Sequence, residues 1–182
     1  LSKDCYIIAE IGVNHNGEFE LAVELIKEAA DTGVDAVKFQ TFAAEELVTP
    51  DAEKAEYQHR EAVETQYEML KKYELSKDEF ERLRSLSHSH DIDFISTPYD
   101  QTSVELLSEV GVDAYKIASA DLINKPLIEA VAEQPEPLVL STGMATLGEI
   151  ERTMGWLDDL DKQNACLLYC VSCYPTNPED VD

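Results

Sequence analysis

Short apolar runs alternate with longer segments whose apolar residues recur at helical spacing, and the alternation runs the length of the chain. The apolar runs predict strands at residues 6–11, 36–39, 93–96, 114–117, 138–140 and 167–171. The segments between them predict helices around residues 18–32, 77–89, 102–110, 126–132 and 147–157. In the first, Leu21, Leu25 and Ala29 share a stripe with Val23, Ile26 and Ala30, and Gly33 follows as a natural helix stop. Two joints are nearly identical. Thr32-Gly33-Val34-Asp35-Ala36 leads into Val37-Lys38, and Val110-Gly111-Val112-Asp113-Ala114 leads into Tyr115-Lys116. Strands that alternate with helices imply right-handed βαβ units and a parallel sheet, so the fold class is α/β.

The polar residues favour a (β/α)₈ TIM barrel over a doubly wound sheet. Each apolar run ends in functional side chains: Glu10; Lys38 and Gln40; Thr97; Lys116 and Ser119; Ser141 and Thr142; Ser172 and Tyr174. In a barrel these C-terminal strand ends converge on one mouth. A doubly wound sheet uses mainly the ends at its switch point, often with a Gly-rich first turn. Here the first turn reads Gly12-Val13-Asn14-His15-Asn16-Gly17, which is no dinucleotide fingerprint, and no P-loop is present. About six β/α units fit into the 182 residues, so the barrel is expected to be incomplete. Six strands do not close an eight-stranded ring, and the first and sixth are expected to expose apolar edges. Residues 42–76, with Tyr57, Gln58, His59 and Tyr67, predict a long loop with short helices over the mouth.

Composition narrows the partners. Asp and Glu number 38 against 14 Lys and Arg, a net charge of −24. A polyanion of this kind repels nucleic acid and anionic membranes. The acidic residues are dispersed over the helices, which points to a self-repelling surface adapted to high salt. No apolar run reaches the roughly 20 residues that span a bilayer. The start, Leu1-Ser2-Lys3-Asp4, has no signal-peptide pattern, so the cytoplasm is expected. Cys170 and Cys173 form a C-x-x-C, but no second pair exists for a zinc site. With Cys166 they are expected to be buried thiols of a strand in a reducing compartment.

Two lysines, Lys38 and Lys116, sit among apolar neighbours at equivalent joints. A buried cation needs an anion, and one anionic ligand shared by both explains the pair. The hydroxyls of Thr97, Ser119, Ser141 and Thr142 would donate to its oxygens. A small phosphorylated carboxylate suits this set, and a Schiff-base lysine is the competing use. Glu10 and Asp121 would orient water or exchange a proton. Equally, Asp121 would serve as a helix cap or turn residue, and Glu10 would pair with Lys38 or Lys116. Asn14-His15-Asn16-Gly17 predicts a tight turn. His59, His88 and His90 are expected at the surface.

At this point the residues resemble the sialic acid synthase family, that is, N-acetylneuraminate synthase and its legionaminate and spore-coat relatives. The motifs are Ile8-Ala9-Glu10-Ile11-Gly12-Val13-Asn14-His15-Asn16-Gly17, Val37-Lys38-Phe39-Gln40-Thr41 and Ser96-Thr97-Pro98-Tyr99-Asp100. Lys116-Ile117-Ala118-Ser119, Leu140-Ser141-Thr142-Gly143-Met144-Ala145 and Tyr174-Pro175-Thr176 complete them. Similarity at residues 54–58 and 67–72 is nearest the neuraminate and legionaminate branches. The resemblance implies that residues 1–182 are the N-terminal portion of a phosphoenolpyruvate-binding barrel. The reaction would condense phosphoenolpyruvate with N-acetylmannosamine or a related N-acylated amino-sugar aldehyde, plus water, to a nonulosonic acid and phosphate. By the same resemblance Lys38, Thr97, Lys116, Ser119, Ser141 and Ser172 would contact phosphoenolpyruvate, Gln40 and Tyr174 would face the sugar, and Glu10 and Asp121 would be catalytic. Asp121 stands where the family usually has Glu, Ser172 where some members have Asn, and Tyr169 where His is frequent. The full-length enzyme would be a homodimer that uses a divalent metal, Mn or Mg. Its metal-binding histidines, last two strands and antifreeze-like domain would lie beyond Asp182, so no metal is expected on this chain and the isolated 182 residues are expected to be inactive. The alternatives are a truncated, inactive paralogue acting as a binding or assembly subunit, and another phosphoenolpyruvate or pyruvate aldolase on the same barrel.

Overall fold

A computed structural model describes residues 5–49, 65–173 and 175–181. The chain forms two compact units, Leu1–Val112 and Asp113–Asp182. The first contains β1 (Ile8–Gly12), α1 (Phe19–Asp31), β2 (Ala36–Thr41), α2 (Ala44–Leu47), α3 (Gln66–Tyr73), α4 (Lys77–Ser89), β3 (Asp93–Pro98) and α5 (Gln101–Val110). Its strands are parallel, in the order β1-β2-β3. The second contains β4 (Ala114–Ile117), a 3₁₀ turn (Ser119–Asp121), α6 (Lys125–Ala132), β5 (Leu138–Ser141), α7 (Leu147–Asp159) and β6 (Ala165–Leu168), with strands parallel in the order β4-β5-β6. No helix among the described residues is long and apolar enough to cross a membrane.

Local chemistry sets the helix boundaries. Thr65, Ser76 and Thr146 each open a helix with a reciprocal capping box to a Glu three residues on, at α3, α4 and α7. Asp100 caps α5 by accepting from the Ser103 N–H at 2.7 Å. Four helix-to-strand joints turn through one left-handed residue: Gly33, Asp91, Gly111 and Asp161, with φ between 55° and 79°. Only the glycine pair stands out in the sequence, although Asp tolerates this conformation better than most residues. After the first joint the Asp35 carboxylate accepts from the Ile7 N–H at 2.8 Å, and the Asp35 N–H donates to the Ile7 carbonyl at 2.9 Å. These two bonds align β1 on β2. The duplicated Gly-Val-Asp joint is therefore helix-to-strand chemistry, as expected.

In the first unit Phe39, Phe80 and Phe94 form an aromatic core, with Phe39 stacked on Phe94 at 5.2 Å and Phe80 edge-on to both at 6.4 Å. Ile26 and Leu83 are buried beside the same layer of helices. His15 also packs on Phe39, at 6.0 Å, and is 1% exposed. Its Nδ1 accepts from the Gly17 N–H at 3.1 Å, so the neutral ring carries its proton on Nε2. Asn16 and Gly17 both have positive φ, which makes the expected tight turn. The turn is also a seat. A Cβ on Gly17 would lie 1.8 Å from the Lys72 carbonyl of α3. Glu45 of α2 accepts from Lys71 at 2.8 Å and from Tyr67 at 3.2 Å, which ties α2 to α3. These are the short helices expected in residues 42–76; Tyr57, Gln58 and His59 lie outside the described residues. His90 is exposed as expected, whereas His88 is half-buried.

In the second unit Leu122, Ile128, Leu138, Leu140 and Leu157 are fully or almost fully buried. Buried Lys162 donates to the Glu136 carbonyl at 2.7 Å and to the Gln134 carbonyl, so it holds the loop before β5. The cysteine expectation fails here. Cys166 and Cys173 are exposed and Cys170 is half-buried, all as free thiols. The apolar run begins its strand at Ala165 and ends it at Leu168, so Cys170 and Cys173 fall on irregular chain past β6. Within its unit β6 pairs with β5 alone, and Leu167 and Tyr169 are exposed with the thiols.

Three outcomes follow from this packing. Gly17→Ala is expected to cost at least about 2 kcal/mol in chemical denaturation, because left-handed strain adds to displacement of the Lys72 carbonyl; a loss below half that value would mean that α3 does not rest on the turn. Burial holds the His15 imidazole below its ordinary range, against the opposing pull of the Gly12 carbonyl and the Glu79 carboxylate. A folded pKa below the unfolded one leaves stability intact above about pH 6.5 and removes it as pH falls through the folded value. Stability should therefore decline as pH falls below about 6.5 in the native chain and decline less in His15→Gln. For the charge of −24, the melting temperature should keep rising in molar KCl, where the Debye length has shrunk to about 3 Å; a flat curve would refute adaptation to salt.

Candidate functional site

The strand ends of the first unit gather four of the expected residues. Glu10 pairs with Lys38 across the β1–β2 ladder. Its carboxylate forms an ion pair with the Lys38 ammonium, whose side chain is 15% exposed against 47% for Glu10. Lys38 also donates to the Thr97 hydroxyl at 3.4 Å, and Thr97 is buried. Gln40 lies opposite Thr97 in the β2–β3 ladder. Alternation along β2 sends Phe39 into the aromatic core and leaves Lys38 and Gln40 on the other face. Gly12 sits beside this group: a Cβ there would be 2.9 Å from Glu10 Oε1 and 3.5 Å from Gln40 Nε2. The result is a partly shielded cation with one carboxylate, one hydroxyl and one amide around it. Such a set can bind an anion through Lys38 while Glu10 faces a proton or a developing positive charge.

The strand ends of the second unit gather hydroxyls around a glycine. Ser119 opens the 3₁₀ turn after β4, Ser141 ends β5, and Ser172 follows β6. A Cβ on Gly143 would meet Ser119 Oγ at 2.9 Å, Ser172 Oγ at 3.0 Å and the Cys170 Cβ at 3.3 Å. Ser141 accepts from the Cys170 thiol at 3.3 Å. Thr142 turns inward instead, with both its N–H and its hydroxyl bonded to the Leu168 carbonyl at 3.1 and 2.9 Å. Three strand ends thus pack closely around one missing side chain. Lys116, 6% exposed, donates to the Ile117 carbonyl of its own strand. Asp121 holds the turn before α6: its carboxylate accepts from the Asn124 amide at 3.2 Å, and its carbonyl from the Asn124 N–H at 2.9 Å. Its role as a turn residue is therefore present in the structure. Tyr174 lies outside the described residues. Among the described residues no group of three or more His, Cys, Asp or Glu side chains is arranged to hold a metal ion.

Gly12, Gly143 and Cys170 were not singled out as site residues from the sequence. The signal for the glycines is their place two residues after Glu10 and Ser141, where close approach of backbone to functional atoms disfavours a side chain.

The chain is 44% identical to the N,N'-diacetyllegionaminic acid synthase of Legionella pneumophila, over all of its own length and 52% of that protein's. It is 39% identical to the N-acetylneuraminate-9-phosphate synthase of Drosophila melanogaster, over 99% of this chain and 49% of the relative. It therefore spans about half the length of the curated relatives it matches. Among solved structures it is similar to the N-acetylneuraminic acid synthetase of Leptospira borgpetersenii in complex with citrate, with 36% identity and a TM-score of 0.82, over 99% of this chain and 59% of that one. A truncated 3-deoxy-D-arabino-heptulosonate 7-phosphate synthase of Thermotoga maritima shares the fold at 14% identity and a TM-score of 0.60, over 94% of this chain and 53% of that one. The fold class is that of the first six β/α units of a (β/α)₈ barrel. A sequence profile of the NeuB family matches residues 25–182, and with these relatives it shows that the chain belongs to the NeuB family of sialic, legionaminic and pseudaminic acid synthases.

Proposed function

We propose that this chain is the phosphoenolpyruvate-binding part of a nonulosonic acid synthase. The enzyme would condense phosphoenolpyruvate with N-acetylmannosamine or a related N-acylated amino-sugar aldehyde. The observation that carries the reading is the Glu10–Lys38–Thr97 cluster at adjacent strand ends in a chain of this family. In this reading carbon 3 of the enol attacks the aldehyde carbon, and carbon 2 becomes electron-poor. Water adds to carbon 2, and phosphate leaves by C–O cleavage, so one water is consumed and one phosphate released. Glu10 faces the developing positive charge, where a fixed carboxylate lowers the barrier, and Asp121 is its expected partner. Lys38, Lys116 and the hydroxyls of Thr97, Ser119, Ser141 and Ser172 hold the phosphate and carboxylate oxygens. Gln40 and Tyr174 face the sugar. A divalent metal, Mn or Mg, belongs to the same reading as a Lewis acid. Among the described residues of this chain no cluster of three or more His, Cys, Asp or Glu is arranged for it. The working enzyme is expected to be a cytoplasmic homodimer.

The test uses the polypeptide as encoded, with phosphoenolpyruvate, N-acetylmannosamine or its diacetylated relatives, and Mn²⁺. Phosphate and a nonulosonic acid should appear in equal amounts. Lys116→Met should lower kcat/KM by about 10²–10³-fold, the size expected for one charge-assisted contact in a dry site. The 182-residue chain alone should show no turnover. Phosphate release without a new sugar acid, or binding of phosphoenolpyruvate with no reaction in the encoded polypeptide, would sink the synthase reading. The second outcome would favour a binding or assembly subunit.

A further inference from the structure

β1 carries an extra residue at its functional end. Glu10 is opposite Lys38, yet Gly12, two residues on, is opposite Phe39, only one residue on. Ile11 is thus bulged, and a bulge bends its strand and re-aims the side chains beside it. Gly12 takes φ +56° at this point, a conformation costly to a residue with a Cβ. Gly12 is also buried. The space left by its missing side chain is filled by the Glu10 carboxylate: a Cβ would stand 2.9 Å from Glu10 Oε1, closer than carbon and oxygen pack, with Gln40 Nε2 at 3.5 Å behind it. A side chain here would therefore meet left-handed strain and, separately, would push the half-exposed Glu10 carboxylate out of its place. Gly33 shows the difference. It has φ +79°, but nothing lies within 4 Å of a Cβ built there, so it answers to backbone conformation alone.

We propose that Gly12 is a positioning residue of the site: it holds the bulge and leaves the space that together direct the Glu10 carboxylate onto the Lys38 ammonium. It touches no reacting atom. What Glu10 then does rests on the synthase reading above; where Glu10 points does not. Gly12 acts on the carboxylate at the end of β1, and Thr97 supports the same lysine from β3.

The test separates volume from backbone strain. Gly12→Asn adds a Cβ but tolerates positive φ. Glu10→Asp withdraws the carboxylate by one methylene and should make room for that Cβ. In the first arm, NMR follows the Glu10 carboxyl carbon and the Lys38 ammonium nitrogen in this chain. Gly12→Asn should shift both while the Phe39–Phe80–Phe94 resonances stay in place; unmoved Glu10 and Lys38 signals overturn the proposal. In the second arm, melting temperatures are compared for the two single variants and the double. The double should melt well above the additive expectation, including the case in which Gly12→Asn alone fails to fold; additive losses overturn the proposal. In the third arm, kinetics of the encoded polypeptide should show kcat down by about 10²-fold in Gly12→Asn, the cost of a misplaced group of about 1 Å. KM for phosphoenolpyruvate should hold, because Lys38 is retained. KM rising in step with the fall in kcat would mark a merely structural glycine. An encoded wild-type polypeptide that does not turn over phosphoenolpyruvate refutes the synthase reading, and the first two arms then decide the role of Gly12 by themselves.

Discussion

Lys38 is a cation placed between Val37 and Phe39, two residues with no exposed surface. A strand cannot bury that charge without an anion. The pleat resolves the conflict by sending Phe39 into the aromatic core and Lys38 to the opposite face, where Glu10 meets it. The meeting needs the right register between β1 and β2. At the start of the pair, Asp35 binds the backbone of Ile7 in both directions. At the end, the bulge at Ile11 and the bare Gly12 let the carboxylate turn in. The helix-to-strand joint, the core and the site of this unit are thus one solution to the placement of a single charge.

The second unit solves a different problem with similar parts. Its strand ends offer hydroxyls in place of a carboxylate, grouped over Gly143. Lys116 is more deeply buried than Lys38 and donates to the Ile117 carbonyl of its own strand. Hydroxyls and a cation favour anionic oxygens, and the carboxylate–lysine pair of the first unit favours a group that changes charge. The strand ends of the two units therefore carry different chemistry.

Much of this was legible in the chain, because the pattern of apolar runs reports burial directly. β4 and α4 match their expected limits at both ends. Boundaries drifted where the pattern is ambiguous. β2 and β3 extend through Gln40-Thr41 and Thr97-Pro98, polar or ring-constrained residues that break an apolar run but not a ladder. The cysteines misled because an apolar run predicts a strand without saying whether both its flanks are covered. Asp91 and Asp161 were overlooked as left-handed stops because Asp announces several local structures where Gly announces one. Gly12 reads in the sequence as part of the first turn and Gly143 only as part of a motif, since the space that a glycine leaves for someone else's side chain is invisible until the fold supplies the neighbour.

The hydrogen bond between Lys38 and Thr97 joins residues 59 apart in sequence, whereas the Ile7–Asp35 and Thr142–Leu168 bonds close intervals of 28 and 26. Each doubling of a loop adds only about 0.6 kcal/mol of closure entropy, yet distant pairings weigh heavily on how fast a chain folds. The segment responsible is the one that carries α2 and α3 between β2 and β3. The cluster around Lys38 is therefore expected to assemble in two stages, with the β1–β2 half and its ion pair first and the Thr97 hydroxyl after the long excursion has closed. The anchoring of α3 on Gly17 shortens that excursion in effect, because it divides one long search into two shorter ones.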